Sequence, residues 1–312
     1  MEPLFLKPVF QERIWGGTAL RDQFGYDIPS NHTGECWAIS AHKNGPSVVE
    51  NGPFAGQTLA ELWESNHELF GHTKGDVFPL LTKILDANMD LSVQVHPDDT
   101  YALEHEGELG KTECWYIIDC KEDADLIFGH TAKTKDEFTR QIKEGNWNEL
   151  LQRVKIKPGD FFYVPSGTVH ALCEGTLVLE TQQSSDTTYR LYDYDRKDSD
   201  GNLRELHLQQ AIDVTTVPNQ ATAVQPTVEE KEDIMITTFV ESEYFSVYKW
   251  DVEGSASLSA EQFVLCSVIA GEGSLEHGGE TYPIHKGQHF LLPTGFGDFR
   301  MNGNLELIVS HT

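Results

Sequence analysis

The amino-acid sequence predicts a mainly β protein whose strands form sandwiches or barrels. Most apolar segments are short, rich in Val, Ile, Phe and Tyr, and separated by Gly, Pro, Asn or Asp, which is typical of such sheets. Helix-start signals are few. A pattern of turn, strand and turn occurs twice, in residues 157–167 and 285–295. Because a domain-sized stretch of chain separates the two copies, they indicate two related domains rather than a solenoid.

The predicted strands follow one another through both halves of the chain. The clearest segments are LSVQV from Leu91, ECWYIID from Glu113, DFFYVP from Asp160, TLVLET from Thr176, FSVYKWDV from Phe245 and HFLLP from His289. Helices are predicted near 58–70 and 134–151, where Thr58, Thr134 and Asn146 are each followed three residues later by Glu. A third helix is predicted around residues 204–213.

The chain is expected to divide into two domains at a polar connection. Its 312 residues exceed the ~100 to 200 residues of one ordinary domain. The run from 215 to 233 is polar, contains two prolines and has no sustained apolar period. We therefore predict a catalytic domain with helical insertions over 1–215, a linker over 216–233 and a second β domain over 234–312.

Composition excludes several classes of protein. The 23 Lys+Arg and 50 Asp+Glu give a formal net charge of -27, whereas binding to nucleic acid depends on basic residues that displace counterions. Neither a continuous signal-peptide core nor an apolar run of about 18 residues occurs, so no membrane partner is expected. Five cysteines without a C-x-x-C pair favour a reducing cytoplasm. The sequence leaves the oligomeric state open, with a monomer as the working expectation.

Four metal-capable side chains belong to the predicted strands of the first domain. Period-2 alternation places Gln94 and His96 on the same face of one strand. Glu113 opens the strand ECWYIID, and His170 follows the Pro-Gly turn that ends the first repeat. Any one of these residues alone is more often a polar surface or core residue than a ligand. Their combination in one predicted barrel favours a metal site.

The repeated turn resembles the second signature of the cupin jelly rolls, in which G-x5-P-x-G is followed by x-x-H. In the first copy the pattern runs from Gly159 through Gly167 to His170, where cupins have a metal-binding histidine. In the second copy Asp298 takes that position and no His-x-His precedes it. The resemblance therefore implies two cupin-type jelly rolls, one catalytic and one metal-free, with a small helical insertion.

Nearly the whole chain is similar to the type I mannose-6-phosphate isomerases in their short bacterial form. The similarity lies in an ordered set of motifs, which are RIWGG from Arg13, TGECWAIS from Thr33, LTKILDANMDLSVQVHPDD from Leu81, GKTECWYII from Gly110, PSGTVHAL from Pro165, and the later Glu180, Ser185, Asp186 and Arg190. Two positions depart from many relatives. Leu172 replaces a tyrosine, and Thr187 replaces the asparagine of S-D-N-x-x-R.

This resemblance implies an enzyme that interconverts mannose 6-phosphate and fructose 6-phosphate, with one zinc ion per chain. The sugar phosphate is the only partner it implies. The implied zinc ligands are Gln94, His96, Glu113 and His170. The implied catalytic residues are Arg190, Glu180 and Lys111, and the implied substrate-binding residues are Lys83, Glu35, Asp186 and Trp15.

The chemistry of the implied reaction suits these residue types. Interconverting an aldose and a ketose moves a proton between adjacent carbons through a cis-enediolate, whose negative charge needs fixed positive partners. Arg190 could stabilise that charge or orient the substrate. The proton carrier stays open among Glu180, Glu35, Lys111 and a zinc-bound hydroxide, because burial and nearby charge can shift the pKa of each group.

Two other functions are compatible with the same fold. A cupin oxidoreductase would use iron, but its ligand set is usually richer in histidine than a set that contains Gln94. A non-catalytic sugar-binding cupin could keep Lys83, Lys111, Glu180 and Arg190 as contacts and lack turnover. No G-x-G-x-x-G motif follows a strand, so no nicotinamide cofactor is expected.

Overall fold

The computed structural model describes residues 1–71, 73–197, 200–220 and 224–312. Of the described residues, 46% lie in strands and 16% in helices, which confirms the mainly β class. The strands before residue 200 are β1 (Leu4–Lys7), β2 (Val9–Gly17), β3 (Thr33–Ser40), β4 (Val48–Val49), β5 (Leu80–Ala87), β6 (Val93–Val95), β7 (Glu113–Cys120), β8 (Asp125–His130), β9 (Leu151–Lys155), β10 (Phe161–Val164), β11 (His170–Leu172), β12 (Thr176–Gln183) and β13 (Tyr189–Tyr192). The later strands are β14 (Thr227–Lys231), β15 (Ile234–Glu241), β16 (Ser246–Ala260), β17 (Val264–His277), β18 (Glu280–His285), β19 (His289–Leu292) and β20 (Gly297–His311).

Short helices lie between these strands. They are α1 (Ala19–Phe24), α2 (Leu59–Ser65), α3 (Asp99–His105), α4 (Lys135–Glu144), α5 (Trp147–Leu150) and α6 (Leu208–Val214), with 3-10 turns at Gly52–Phe54 and His67–Phe70. The predicted capping box is present at α2, where the Thr58 side chain accepts a hydrogen bond from the Glu61 amide at 3.2 Å. The helix predicted over 134–151 is split into two, because Gly145 adopts a φ of 70° and ends α4. None of the described helices is long and apolar enough to cross a membrane.

Two facing sheets form the first jelly roll. The six-stranded sheet has the order β10-β7-β12-β5-β3-β2, and the five-stranded sheet has the order β13-β6-β11-β8-β9. The core between them contains Leu85, Trp115 and Val178 from the first sheet and Leu126 and Leu172 from the second. The predicted site residues come from strands or strand ends of these same two sheets, apart from Asp186, which lies in the loop between β12 and β13.

The six-stranded sheet is buried on both faces. Along β7, Trp115 and Ile117 belong to the core between the two facing sheets, whereas Cys114 and Tyr116 belong to a second core that includes Phe239 of the C-terminal domain. This alternation follows from the two-residue period of a strand. The C-terminal domain therefore covers the reverse face of the sheet that carries Glu113.

The C-terminal domain is a nine-stranded sheet of order β14-β15-β16-β20-β17-β19-β1-β4, in which β18 also pairs with β17. One of its strands comes from the opposite end of the chain. β1 pairs with β19, with Leu4 opposite Leu291. The segment 1–215 therefore does not form a closed domain by itself, since its first strand completes the sheet of segment 234–312.

The predicted linker over 216–233 also contains a strand. β14 occupies residues 227–231 and pairs with β15 at the edge of the sheet. All five of its residues are exposed, so the apolar alternation that identifies a half-buried strand in a sequence is missing. Residues 221–223 of the same segment lie outside the described residues.

The repeated turn has the same backbone geometry in both copies. Gly159 and Gly287 each have a φ of 90°, a conformation that a residue with a Cβ rarely adopts. A four-residue strand follows each glycine, as β10 in the first copy and β19 in the second. At the position that matches His170, Asp298 is exposed. Within the described ranges it belongs to no cluster of metal-capable side chains.

Candidate active site and metal centre

Three buried side chains converge at one end of the first jelly roll. The ligand atoms of His96, Glu113 and His170 all lie within 4.8 Å of one another. His96 Nε2 is 3.4 Å from Glu113 Oε2, and His170 Nε2 is 3.2 Å from Glu113 Oε1. Each residue is at most 1% exposed. The carboxylate thus lies between two imidazole nitrogens that face it.

Strand ends position these groups. His96 directly follows β6, Glu113 begins β7 and His170 begins β11. The antiparallel register of β6 and β11 places His170 opposite Gln94, and the Gln94 amide nitrogen lies 3.4 Å from His170 Nε2. The oxygen and nitrogen of an amide exchange places when the group flips, so Gln94 can present an acceptor at this point. All four predicted metal ligands are therefore brought together.

Backbone carbonyls hold both imidazoles by their other nitrogen. His96 Nδ1 donates to the Thr187 carbonyl at 2.9 Å, and His170 Nδ1 donates to the Thr168 carbonyl at 2.8 Å. A proton on Nδ1 leaves the Nε2 lone pair free to face the centre of the cluster. Burial favours the neutral ring, and together with the Lys111 charge it lowers the pKa of His96 to about 3.

The cluster also contains buried acceptors that have no hydrogen bond. His96 Nε2 and Glu113 Oε1 lack a hydrogen-bond partner among the described residues, whereas Glu113 Oε2 faces the Lys111 ammonium at 3.1 Å. A buried acceptor without a partner is costly, and buried carboxylates normally pair with a cation or bind a metal. Two imidazole nitrogens, a carboxylate and an amide oxygen form a donor set that suits a divalent cation. The residues present therefore fit a metal ion.

Lys111 connects this cluster to a neighbouring pocket. Its Nζ forms an ion pair with Glu113 Oε2 at 3.1 Å, and both side chains are almost fully buried. Burial would lower the pKa of Lys111, but the carboxylates of Glu113 and Glu180 raise it above the ordinary value. Burial would likewise raise the pKa of Glu113, but Lys111 and the two histidines hold it well below the ordinary value. The lysine is thus held in its charged form beside the cluster.

The adjoining pocket has a volume of about 320 Å³. All the other predicted site residues line it, together with Gln94; they are Trp15, Glu35, Lys83, Lys111, Glu180, Asp186 and Arg190. Its cationic side chains are Arg13, Lys83, Lys111, Arg190 and Arg204, and its carboxylates are those of Glu35, Glu180 and Asp186. A chain of net charge -27 therefore encloses a pocket with more cations than anions, which suits an anionic ligand.

Three neighbouring strands place a lysine between two carboxylates in this pocket. Lys83 on β5 lies opposite Glu180 on β12, and its Nζ is 3.7 Å from Glu180 Oε1 and 3.9 Å from Glu35 Oε2. Trp115 Nε1 donates to Glu180 Oε2 at 2.8 Å. Burial, supported by the nearby Glu113 charge, raises the pKa of Glu180. This carboxyl group therefore protonates at a higher pH than an exposed one.

The pKa of Glu35 is shifted in the opposite direction from that of Glu180. Arg13 donates to both of its oxygens, at 2.8 and 3.2 Å, and Trp37 Nε1 donates to Oε2 at 2.6 Å. Burial would raise the pKa of Glu35, but Lys83 and Arg13 lower it. The two carboxyl groups on either side of Lys83 are thus tuned in opposite directions.

Arg190 and Asp186 lie on the other side of the pocket. The register of β13 and β6 places Arg190 opposite Gln94, and its Nε donates to Ser92 Oγ at 3.3 Å. Asp186 accepts a hydrogen bond from the Asn44 side chain at 3.0 Å. The loop that contains Asp186 also supplies the Thr187 carbonyl described above, so one segment both lines the pocket and orients a histidine.

Two arginines of the pocket were missed by the sequence-based site prediction. Arg13 lies two residues before Trp15 on β2, so strand alternation alone would have placed both on one face. Arg204 follows β13 in a polar loop without any motif, and only the folded chain brings it to the pocket. Leu172, which departs from the tyrosine of many relatives, also lines the wall.

A larger cavity, of about 1510 Å³, lies along the C-terminal sheet. Its walls include Tyr248, Trp250 and Phe299. It contains none of the predicted site residues, and no cluster of metal-capable side chains lies there among the described residues. The smaller cavity therefore carries the candidate chemistry.

Known families and proteins match the chain from end to end. Residues 4–118 match the model of the catalytic domain of type I phosphomannose isomerase, and residues 235–312 match that of the mannose-6-phosphate isomerase cupin domain. The mannose-6-phosphate isomerase ManA of Bacillus subtilis is 63% identical over 312 residues, which cover 99% of each chain. The mannose-6-phosphate isomerase of Streptococcus mutans is 54% identical and covers 100% of this chain and 98% of its own length.

Solved structures agree with these sequence relationships. A crystal structure of the mannose 6-phosphate isomerase from Bacillus subtilis superposes with a TM-score of 0.99 at 60% identity, covering 100% of both chains. A Salmonella typhimurium phosphomannose isomerase structure has a TM-score of 0.82 at 14% identity, which bears on the fold alone. With a metal-capable centre in the first jelly roll and full-length relatives at 63% and 54% identity, the chain belongs to the type I mannose-6-phosphate isomerase family of cupin enzymes.

Proposed function

We propose that this enzyme uses zinc to interconvert mannose 6-phosphate and fructose 6-phosphate through a cis-enediolate. The observation that carries the proposal is the buried cluster of His96, Glu113 and His170 next to a pocket rich in cations. The named activity of full-length relatives favours isomerisation over an iron-dependent oxidation or a non-catalytic sugar-binding role.

The family is metal-dependent, and we assign the metal to Gln94, His96, Glu113 and His170. Two neutral imidazoles, an amide oxygen and one carboxylate leave a divalent ion with net positive charge. Zinc suits this set of nitrogen and oxygen donors, and when bound it supplies a redox-inert Lewis acid beside the pocket. Lys111 is then a second fixed positive charge close to the same point.

Glu180 is our candidate for the proton carrier. Its raised pKa brings a carboxylate closer to the pH at which a general base works best. Glu35 is a weaker candidate, because Arg13 and Trp37 occupy its oxygens and its pKa is lowered. Lys111 is held protonated, so it is suited to donate hydrogen bonds to sugar oxygens rather than to remove a proton.

The remaining predicted residues would bind and orient the sugar. Arg190 has the planar guanidinium that can donate several hydrogen bonds to a developing enediolate. Lys83 and Asp186 offer a donor and an acceptor for hydroxyl groups, and the buried Trp15 forms part of an apolar wall. A substrate bound in this pocket would displace water from around a reactive enediolate.

A coupled assay tests the proposal. The metal-stripped protein is reconstituted with zinc, supplied with mannose 6-phosphate, and the appearance of fructose 6-phosphate is followed. In deuterated water, solvent deuterium should appear at C1 or C2 of the sugar, because the proton passes through an ionisable side chain. Full activity of the metal-free protein, or no deuterium at any time point and pH, would contradict the mechanism.

We also propose that the enzyme works in the cytoplasm as a monomer. All five cysteines are free and four are buried, which suits a reducing compartment. The exposed edge strand β14 carries Glu229 and Glu230, and like charges on an edge oppose pairing with a second copy. Sedimentation at micromolar concentration should give the mass of one chain, and a stable mass of two chains would overturn this proposal.

A further inference from the structure

The cations of the pocket differ in how their charge is balanced. Near the metal centre, Lys111 pairs with Glu113 at 3.1 Å. Lys83 lies between Glu35 and Glu180 at 3.9 and 3.7 Å. These lysines therefore neutralise carboxylates of the enzyme itself, and they have little unbalanced charge to offer a substrate dianion.

Arg13 is balanced in the same way. Its guanidinium donates two hydrogen bonds to Glu35, at 2.8 and 3.2 Å. This bidentate pairing uses the fork geometry with which arginine otherwise recognises phosphate. The side of the pocket formed by β2, β3, β5 and β12 is therefore close to neutral, since Arg13 and Lys83 are balanced by Glu35 and Glu180.

Arg190 has no such partner. Its side chain donates to two neutral oxygens, Ser92 Oγ at 3.3 Å and the Glu205 carbonyl at 2.7 Å. It forms no ion pair with a carboxylate of the described residues. Burial and the neighbouring Arg204 charge lower its pKa, as expected where two guanidinium groups lie close together.

Arg204 shares one carboxylate with another arginine. Its Nε and Nη2 donate to the two oxygens of Asp193, at 2.7 and 2.5 Å. Arg196 donates to the same carboxylate at 2.5 Å. One negative charge therefore serves two guanidinium groups. The Arg204 side chain is 22% exposed and lines the pocket, whereas Arg196 does not line it.

A series of contacts connects Gln94, beside the metal centre, with the segment that carries Arg204. Gln94 lies beside the metal centre, and Arg190 lies opposite it on the next strand. The Arg190 guanidinium then contacts the Glu205 carbonyl, which is adjacent in sequence to Arg204. Arg190 therefore connects Gln94, which lies opposite it, with the segment that carries Arg204. In a hexose 6-phosphate, the phosphate is at the opposite end from the reacting C1 and C2.

We propose that Arg204 binds the phosphate group of the substrate, with Arg190 between it and the metal centre. This inference rests on the proposed function, since it assumes that the reacting carbons lie at the metal. The Asp193 carboxylate accepts from Nε and Nη2 of Arg204 and so holds the guanidinium in place, while the remaining N–H groups of the guanidinium can donate to a phosphate. Arg204 differs from Arg13 in that its carboxylate partner also neutralises Arg196. No phosphate loop or motif marks this residue in the sequence.

The test compares Arg204→Gln with Arg153→Gln. Arg153 is an ion-paired arginine of the same domain that lies outside the pocket, which makes it a matched control. In zinc-reconstituted enzyme, Arg204→Gln should raise both the KM for mannose 6-phosphate and the inhibition constant of inorganic phosphate by about 10- to 100-fold, as expected for lost charge-assisted bonds. Arg204→Lys should fall between the variant and the wild type. Arg153→Gln should change both constants by less than about 2-fold.

A second ligand separates binding from a general structural effect. Unphosphorylated mannose, used as a competitor, should keep its inhibition constant in Arg204→Gln. Equal losses for mannose and phosphate would assign Arg204 a structural role and overturn the inference, as would unchanged constants for phosphate. If the wild type does not isomerise mannose 6-phosphate, the proposed function fails. Titration calorimetry of wild type and Arg204→Gln with inorganic phosphate then still decides whether Arg204 binds an anion.

Discussion

The two copies of the repeated turn have the same backbone and different chemistry. In the first copy the glycine turn leads to β10 and then to His170, which faces Glu113 in a buried cluster. In the second copy the same turn leads to β19, and Asp298 at the matching position is exposed. The backbone of the jelly roll is therefore only a frame, and side chains from other strands decide whether it can hold a metal.

The two domains also use their packed faces differently. The inner face of the six-stranded sheet carries charged groups such as Lys83 and Glu180, whereas its outer face is apolar and packs on the C-terminal sheet. Buried charges need rigid surroundings to keep their pairing. The C-terminal domain thus stabilises, from behind, the sheet on which the site is built.

Removing metal ligands near the first copy of the repeated turn should have a much larger effect than changing the matching residue of the second copy. The double variant His96→Ala with His170→Ala should lose its metal and more than ~10³-fold of turnover, because several kcal/mol of charge stabilisation disappear with the ion. Asp298→Ala should retain both, within about 2-fold. Elemental analysis together with the isomerase assay measures the effect, and the wild type should contain one metal per chain. Two metals per chain, or full retention in the double variant, would contradict the comparison.

Removing an aromatic side chain behind the catalytic sheet should reduce stability. Phe239 stacks on Phe161 with ring centroids 4.5 Å apart and is 7% exposed. Phe239→Ala should lower the free energy of unfolding by about 3 kcal/mol, since a large buried ring is replaced by a cavity. Val228→Ala on the exposed edge strand is the control and should change it by less than about 0.5 kcal/mol. Denaturant unfolding of the metal-bound proteins measures the free energy of unfolding of both variants. Equal losses in the two variants would mean that the six-stranded sheet and the C-terminal sheet do not share a core.

Replacing a charged residue on the pocket face should reduce turnover rather than stability. Arg190→Ala should lower turnover by about 10²-fold or more with metal content intact, because a preorganised donor to developing charge is removed. Arg190→Lys should restore little of this loss, since an ammonium group lacks the planar fork. Steady-state kinetics and metal analysis on the same samples test this. Near-normal turnover of the alanine variant would remove Arg190 from the catalytic machinery.

The smallest expected effect concerns acid stability. The pKa of Glu35 is lowered from its ordinary value of about 4.5, so its ionised form stabilises the folded state. This contribution is fully present above that ordinary value and is lost as the pH falls through the lower value of the folded protein. Wild type should exceed Glu35→Gln in unfolding free energy by about 2 kcal/mol at neutral pH. The difference should shrink as the pH is lowered below about 4.5. Urea unfolding of both proteins across this pH range measures the difference. A difference that grows as the pH falls would contradict the prediction.

Much of the site could be predicted from local patterns. Gln94 and Glu113 lie in period-2 strands and His96 directly follows the strand of Gln94, so alternation shows which residues share a face. His170 follows a Pro-Gly turn with strict backbone requirements. These features depend on neighbours in sequence. The relative order of several motifs then identified the family, which the comparisons confirm.

Other parts were not predictable in this way. β14 was assigned to a linker, because an edge strand exposed on both faces has no apolar period. β1 pairs with β19 at the other end of the chain, and strand pairing over such a sequence separation leaves no local signal. The Thr187 and Thr168 carbonyls that orient the two histidines belong to the backbone, so no residue type marks them.

The sequence by itself determined the strand-rich class, the metal-capable residues and the absence of a matching set in the second copy, because these depend on residue types and short spacings. Only the tertiary structure decided how charges are balanced in the pocket. Glu35 and Glu180 are both carboxylates beside Lys83, yet their pKa values move in opposite directions. Arg13 and Arg204 enter the pocket from segments that are distant in sequence. The strength of a buried charge depends on distance and burial, and both are set by contacts between remote parts of the chain.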